Sequence, residues 1–168
     1  ARGSGREITI VNGFATSDDL PLHEGDEIYF IPKDRLPPRD ALEAMMCSRH
    51  TPRVHHKVRA GHVAICGLGG LGSNAAIYLA RTGVGHLHLL DFDTVDASNL
   101  NRQSYMIRDL GSYKTDALAR QIRDINPFID VRTDCVRLNE ENVPQLLKDD
   151  WIICEAFDRA ESKAMLVN

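Results

Sequence analysis

The chain has 168 residues, 43% hydrophobic and 26% charged, enough to bury one sizeable core with an appendage but not two complete domains. Its 20 basic and 24 acidic side chains give a formal charge of -4, which excludes a general attraction to nucleic acid, so any phosphate binding has to be local. No apolar run approaches the roughly 20 residues of a spanning helix, and no basic-then-apolar leader opens the chain; a soluble, cytoplasmic protein without a membrane or nucleic-acid partner is expected.

Residues 1–5 carry no fold signal. From Glu7, EITIVNG reads as a short β-branched strand closed by an Asn-Gly turn, and HEGDEIYFI as a turn followed by a strand over 27–31. Residues 6–33 thus read as a piece of a small sheet. Residues 34–61 read as a linker, with prolines in PKDRLPPRD and a helix beginning at Asp40 through DALEAMMCS. The stretch SRHTPRVHHKVRAG is polar and basic, and Pro52 reads as a break in it.

From His62 the rhythm changes to alternating strands and helices: strands over 62–66, 86–91, 130–135 and 151–155, with helices through NAAIYLART and KTDALARQIRDI. That alternation predicts an α/β, mostly parallel sheet with helical crossovers across 62–168. The last run, ESKAMLVN, has no glycine or proline stop after it, so an incomplete domain is expected. Cys47, Cys66, Cys135 and Cys154 form no C-x-x-C pair, which leaves buried, inert thiols as their reading.

After the first parallel strand comes GLGGLG, with Gly67, Gly69 and Gly72 in the G-x-G-x-x-G pattern and Gly70 within it, where backbone N–H groups and a helix N-terminus can hold phosphate. Asp91 ends the next strand about 19 residues later, the position from which a carboxylate holds ribose hydroxyls. These features locate a nucleotide site but serve NAD, FAD or S-adenosylmethionine equally well. More selective is FDTVDASNLNRQSY, in which Asn99 and Arg102 share one side of a short helical turn. A triphosphate needs such amide and guanidinium donors near its leaving group. Lys114 opens the following helix and can place a point charge on an α-phosphate, and Asp158, just past the last strand, can hold Mg²⁺, with Glu155 as a weaker alternative.

Together GLGGLG, LLDFD, SNLNRQ, GSYK, INP and Asp158 resemble the ThiF/MoeB family of ubiquitin-activating-enzyme-like adenylyltransferases, over about residues 62–168, and the likeness is nearest to ThiF-type proteins of thiamine biosynthesis. The resemblance implies a Rossmann-like fold and ATP-dependent adenylylation of the terminal glycine carboxylate of a ubiquitin-like sulfur carrier, with release of pyrophosphate. It puts ATP contacts at Gly70, Asp91, Asn99, Arg102 and Lys114, and a magnesium-linked carboxylate at Asp158. It also implies a homodimer in which Arg49, or failing that Arg53, reaches the neighbour's nucleotide. The N-terminal LHEGDEIYFI resembles the closing strands of a sulfur carrier, but PKDRLPP follows and no Gly-Gly end is present. The family's structural Zn²⁺ half-sites and sulfur-relay cysteine are expected beyond residue 168. Three rival readings stay open: activation of the molybdopterin-synthase carrier, an NAD- or FAD-binding oxidoreductase, and a noncatalytic binding module.

Overall fold

The structure is a computed structural model that describes residues 7–33, 38, 42, 43 and 52–167. The helix expected through DALEAMMCS, apart from Leu42 and Glu43, lies outside the described residues, as do Cys47 and Arg49. The chain divides into two compact units, residues 1–57 and 58–168. No helix among the described residues is long and apolar enough to cross a membrane.

In the first unit, β1 (Glu7–Val11), β2 (Phe14–Thr16) and β3 (Ile28–Pro32) form an antiparallel sheet in the order β2-β1-β3. The Asn-Gly pair sets its first corner: Asn12 and Gly13 take φ of 51° and 83°, the left-handed pair that a two-residue hairpin needs to follow strand twist. The strand after that turn, Phe14–Thr16, is an addition to the sequence reading, which stopped at the turn. The Asn12 amide holds the other end of the connection, donating to Asp26 Oδ1 at 2.8 Å and accepting from Glu27 N at 2.9 Å. Ile8, Ile10, Tyr29 and Ile31 pack together on one face of the sheet.

Helix α1 (Pro52–Arg59) corrects the expectation that Pro52 breaks the polar stretch. Proline at the first helical position loses no hydrogen bond, because an N–H there has no intrahelical partner anyway.

The second unit is a parallel sheet in the order β6-β5-β4-β7, made of β4 (His62–Cys66), β5 (His86–Leu90), β6 (Asp130–Asp134) and β7 (Ile152–Glu155). Val63 pairs with Leu87 and Ile152, and Leu90 with Asp134. The crossover helices are α2 (Gly70–Thr82) and α3 (Lys114–Ile125), with a short α4 (Val143–Leu146) before β7 and α5 (Ala160–Val167) after it. This is the expected Rossmann-like arrangement.

Its core forms because α2 turns small residues to the sheet and α3 turns apolar ones. Ala76 and Ala80 from α2 and Ala117, Leu118 and Ile122 from α3 pack with Val63, Ile65, Leu87 and Leu89. Each fully buried Leu or Ile contributes roughly 1.5–3 kcal/mol of transfer free energy. Gly83, at φ 91°, closes α2 by donating to the Leu79 and Ala80 carbonyls. The opposite face of β5 carries a buried histidine: His88 is 3% exposed, with Nδ1 2.7 Å from Asp150 Oδ2 and Nε2 2.7 Å from Asp134 Oδ2.

Candidate functional site

A cleft of about 450 Å³ opens at the carboxyl ends of the parallel strands. It sits where the strand order reverses, between β4 and β7, which is where open α/β sheets bind ligands, and its size suits a small molecule.

The glycine loop forms one wall. Gly67 leaves β4 at φ 95°, and a Cβ there would lie 3.0 Å from the Ala156 carbonyl oxygen, so both conformation and space demand glycine. Gly69 caps α2 and has nothing among the described residues within 4 Å of a notional Cβ, which leaves the cleft open above it. Gly70 begins the helix and faces Arg102. Gly72 does not line the cleft; it lies beneath, where a Cβ would meet the Gly67 carbonyl oxygen at 1.9 Å. The four glycines therefore divide into three that shape the wall and one that lets the helix pack under it.

Asp91 clamps this loop to the next segment. Its Oδ2 accepts from Leu68 N at 2.7 Å and its Oδ1 from Asp93 N at 2.8 Å. Tyr105 adds a second tie, its hydroxyl donating to the Leu68 carbonyl at 2.8 Å. Burial, reinforced by Asp91, Asp109 and Asp93, pushes that phenol well above its ordinary range, so it stays a donor.

Asn99 and Arg102 stand on one short turn, as their spacing predicts. The turn starts at Asp96, whose Oδ1 accepts from Ser98 N, while Asn99 Oδ1 accepts from Asp96 N. The bond from Ser98 N holds the Asp96 carboxyl below its usual range. Arg102 is exposed at the cleft and spends Nη1 on Ser98 O and Asn101 Oδ1, both at 3.0 Å, which leaves donors over for an anion. Lys114 is 6% exposed, and its Nζ lies 2.8 Å from Asp93 Oδ2. Asp158 is exposed at the cleft and has no hydrogen bond or ion pair among the described residues. Glu155 instead accepts from Phe157 N at 2.7 Å and sits 3.5 Å from Lys163 Nζ, inside the turn that follows β7.

The cleft thus gathers Gly67, Gly69, Gly70, Asp91, Asn99, Arg102, Lys114 and Asp158. Arg49 lies outside the described residues, and Arg53 is exposed on α1. Sequence reasoning missed Asp93, Gln103, Arg137 and Arg159, which also line the cleft. Asp93 could have been found two residues beyond Asp91 in LLDFD, and Gln103 beside Arg102 in SNLNRQ. Gln103 is 9% exposed, and its Oε1 has no hydrogen-bond partner among the described residues, an orphaned acceptor at the wall of the cleft. Arg137 belongs to no motif; its only signal is its place just past the third parallel strand.

The described cysteines stand apart from this chemistry: Cys66 is buried as expected, but Cys154 is only partly buried and Cys135 is exposed, which corrects the expectation of buried thiols. Burial, with smaller contributions from Asp150, Cys154 and Glu155, pushes the Cys66 thiol up to about 12, and burial followed by Glu155 raises Cys154. Both are held as thiols at neutral pH.

A family model described as ThiF family matches residues 43–168, three quarters of the chain. The chain belongs to the ThiF family. Residues 1–34 match a second model, described as ThiS-like ubiquitin. Among relatives of this ThiF-family chain, the adenylyltransferase and sulfurtransferase uba4 of Emericella nidulans is 32% identical over 155 residues, 92% of this chain and 30% of that protein. The molybdopterin-synthase adenylyltransferase of Haemophilus influenzae is 39% identical over 111 residues, 66% of this chain and 46% of that protein. The solved structure of Escherichia coli tRNA N6-threonylcarbamoyladenosine dehydratase, TcdA, in complex with ATP superposes with a TM-score of 0.69 at 32% identity, covering 73% of this chain and 51% of that one. The chain therefore spans about half or less of the length of these relatives. Two of the three are adenylyltransferases by name, and the third holds ATP.

Proposed function

We propose that this chain is the nucleotide-binding part of an adenylyltransferase that activates the C-terminal glycine carboxylate of a ubiquitin-like sulfur-carrier protein with ATP, in thiamine biosynthesis. The observation that carries the reading is the convergence of Asp91, Asn99, Arg102, Lys114 and Asp158 on one cleft walled by a glycine loop. A redox dinucleotide would use the loop and Asp91 but leave the other four without a common task. The ATP held by a relative of the same fold adds support.

In this reaction a carboxylate oxygen attacks the α-phosphorus of ATP while the bond to pyrophosphate breaks, giving an acyl adenylate. The attacking carboxylate carries no proton to remove, so the protein's work is positioning and charge. The glycine loop and the N-terminus of α2 hold phosphate oxygens through backbone N–H groups. Asp91, its orientation fixed by Leu68 and Asp93, offers its remaining lone pairs to ribose hydroxyls. Arg102 and the Asn99 amide hold the leaving phosphates, and the Lys114 ammonium meets the charge that grows at the α-phosphate. Asp158, exposed and unpaired among the described residues, suits Mg²⁺, an ion that takes few protein carboxylates and completes its shell with water and phosphate oxygens. When bound there the ion neutralises phosphate charge and eases departure of pyrophosphate.

The thiamine assignment draws on the ThiS-like segment at residues 1–34. The Haemophilus influenzae relative favours the molybdopterin-synthase carrier as a second reading. In either case we propose a cytoplasmic homodimer in which Arg49 of one protomer serves the other's nucleotide. The test is exchange of labelled pyrophosphate into ATP with magnesium and each candidate carrier, its Gly-Gly end intact or deleted. Exchange with one intact carrier only, lost in Asp158→Ala, is expected and names the partner. No exchange with any carrier, together with tight NAD binding, overturns the proposal.

A further inference from the structure

Arg137 has no role in the chemistry above, yet it lines the same cleft, and its backbone is held in place. Asn142 donates from Nδ2 to the Arg137 carbonyl at 3.0 Å, and Asn139 and Asn142 exchange hydrogen bonds, Asn139 N to Asn142 Oδ1 at 2.9 Å and Asn142 N to Asn139 Oδ1 at 2.9 Å. No ion pair or side-chain hydrogen bond engages the Arg137 guanidinium among the described residues. It lies 5.6 Å from the centroid of Phe92, a ring 51% exposed at the cleft. In a chain with surplus acid, an arginine on an aromatic ring rather than a carboxylate is an arrangement in search of a planar partner.

The sheet says which part of a nucleotide would meet it. The strand order runs β6, β5, β4, with neighbouring strands about 4.8 Å apart. The glycine loop follows β4, Asp91 follows β5, and Arg137 lies just past β6. A nucleotide with its phosphates at the glycine loop and its ribose at Asp91 projects its base one strand further, over the end of β6. There the cleft is walled by Phe92, Val136, Arg137 and Leu138, while Arg102 packs against Gly70 in the glycine loop.

We infer that Arg137, braced on Phe92, is the base-stacking residue of the cleft: its guanidinium plane carries the nucleobase and does not bind the triphosphate. A base between the two would need about 7 Å, two van der Waals layers, so at 5.6 Å it stacks on the outer face of the guanidinium. The inference rests on the cleft being an ATP site.

The test compares binding of ATP and of inorganic tripolyphosphate to the protein, its Arg137→Ala and Arg137→Lys variants, and Phe92→Leu. Both Arg137 variants are expected to weaken ATP binding about fivefold to tenfold and leave tripolyphosphate unchanged. Lysine keeps the charge and loses the plane, so its failure to rescue ATP binding separates stacking from charge. Phe92→Leu should give a smaller loss with the same selectivity. Equal weakening of both ligands in Arg137→Ala makes Arg137 a phosphate cation, and no change in either makes it a surface residue; each overturns the inference. Wild-type protein that binds tripolyphosphate but not ATP also overturns it, whereas wild-type protein that binds neither brings down the nucleotide reading itself.

Discussion

Replacement of Gly72 by alanine tests how the glycine loop is built, independently of which ligand it holds. The substitution puts a Cβ 1.9 Å from the Gly67 carbonyl oxygen, 3.0 Å from its carbon and 3.1 Å from Ala156 Cβ. The obstruction is backbone, so no side-chain rotation relieves it, and either α2 or the loop must move. Overpacking of this kind costs roughly 1–3 kcal/mol or more, and a contact this short belongs at the upper end. Gly72 lies within α2, so alanine regains about 1 kcal/mol of helix propensity. The net expectation is a loss of about 2 kcal/mol, or about 8 °C in Tm for a unit of this size. Gly69→Ala is the control: it meets nothing among the described residues within 4 Å, at a φ of -74°, and should melt within about 2 °C of wild type. Thermal denaturation followed by circular dichroism reads both. A Gly72→Ala protein that melts with the wild type would refute the close packing of helix on loop.

Lys114→Met should cost little stability, because it removes a buried ammonium together with its desolvation penalty, while pyrophosphate exchange should fall by about 10²- to 10³-fold. Asp93→Ala should do the reverse in urea denaturation and lose about 1 kcal/mol, since it strands the 7% exposed Lys114 side chain; the partner's 48% exposure limits the loss. His88→Leu preserves volume but leaves Asp134 and Asp150 without the ring that bridges them, and should cost about 2–3 kcal/mol by the same measurement. Cys66 makes stability fall in alkali: its thiol ionises near its ordinary 9.0 when unfolded but only at about 12 when folded. Between those values the unfolded state binds fewer protons, so stability present below pH 9 is lost progressively towards pH 12. Urea midpoints across that range for wild type and Cys66→Ala should converge as the pH rises.

The parts of the fold legible in the sequence were those whose signal is local. HVAIC and HLHLL are continuous short strands because both faces of the sheet are covered, and KTDALARQIRDI carries the apolar spacing of a helix with one buried face. The sheet order was less accessible, since it depends on which strands pair across the chain. Pro52 misled because the same residue stops a helix in its middle and starts one at its first position. His88 gave no warning, because the carboxylates that make its burial tolerable are 46 and 62 residues away in sequence. In the cleft, residues within compact motifs could be picked out, but Arg137 needed the sheet to put it beside Phe92.

Asp93 links the geometry of the cleft to the proposed chemistry. Its backbone N–H orients the Asp91 carboxylate, its carbonyl accepts from Lys114 N at 3.0 Å, and its own carboxylate holds the Lys114 ammonium. One residue therefore sets both the group proposed for ribose and the group proposed for the α-phosphate. The ammonium is nearly buried, so without ligand it needs a counter-charge; Asp93, half exposed, supplies one that solvent screens and that a phosphate can displace. A fully buried carboxylate would hold the lysine too tightly to give it up, and none would leave the charge uncompensated until ATP arrived. Asp93→Asn separates these roles, because it keeps the backbone contacts while removing the competing charge. It should tighten ATP binding through Lys114 at low ionic strength and lower stability, with the affinity gain shrinking as salt rises. Weaker ATP binding in Asp93→Asn would mean that the carboxylate positions the ammonium for phosphate instead of competing for it.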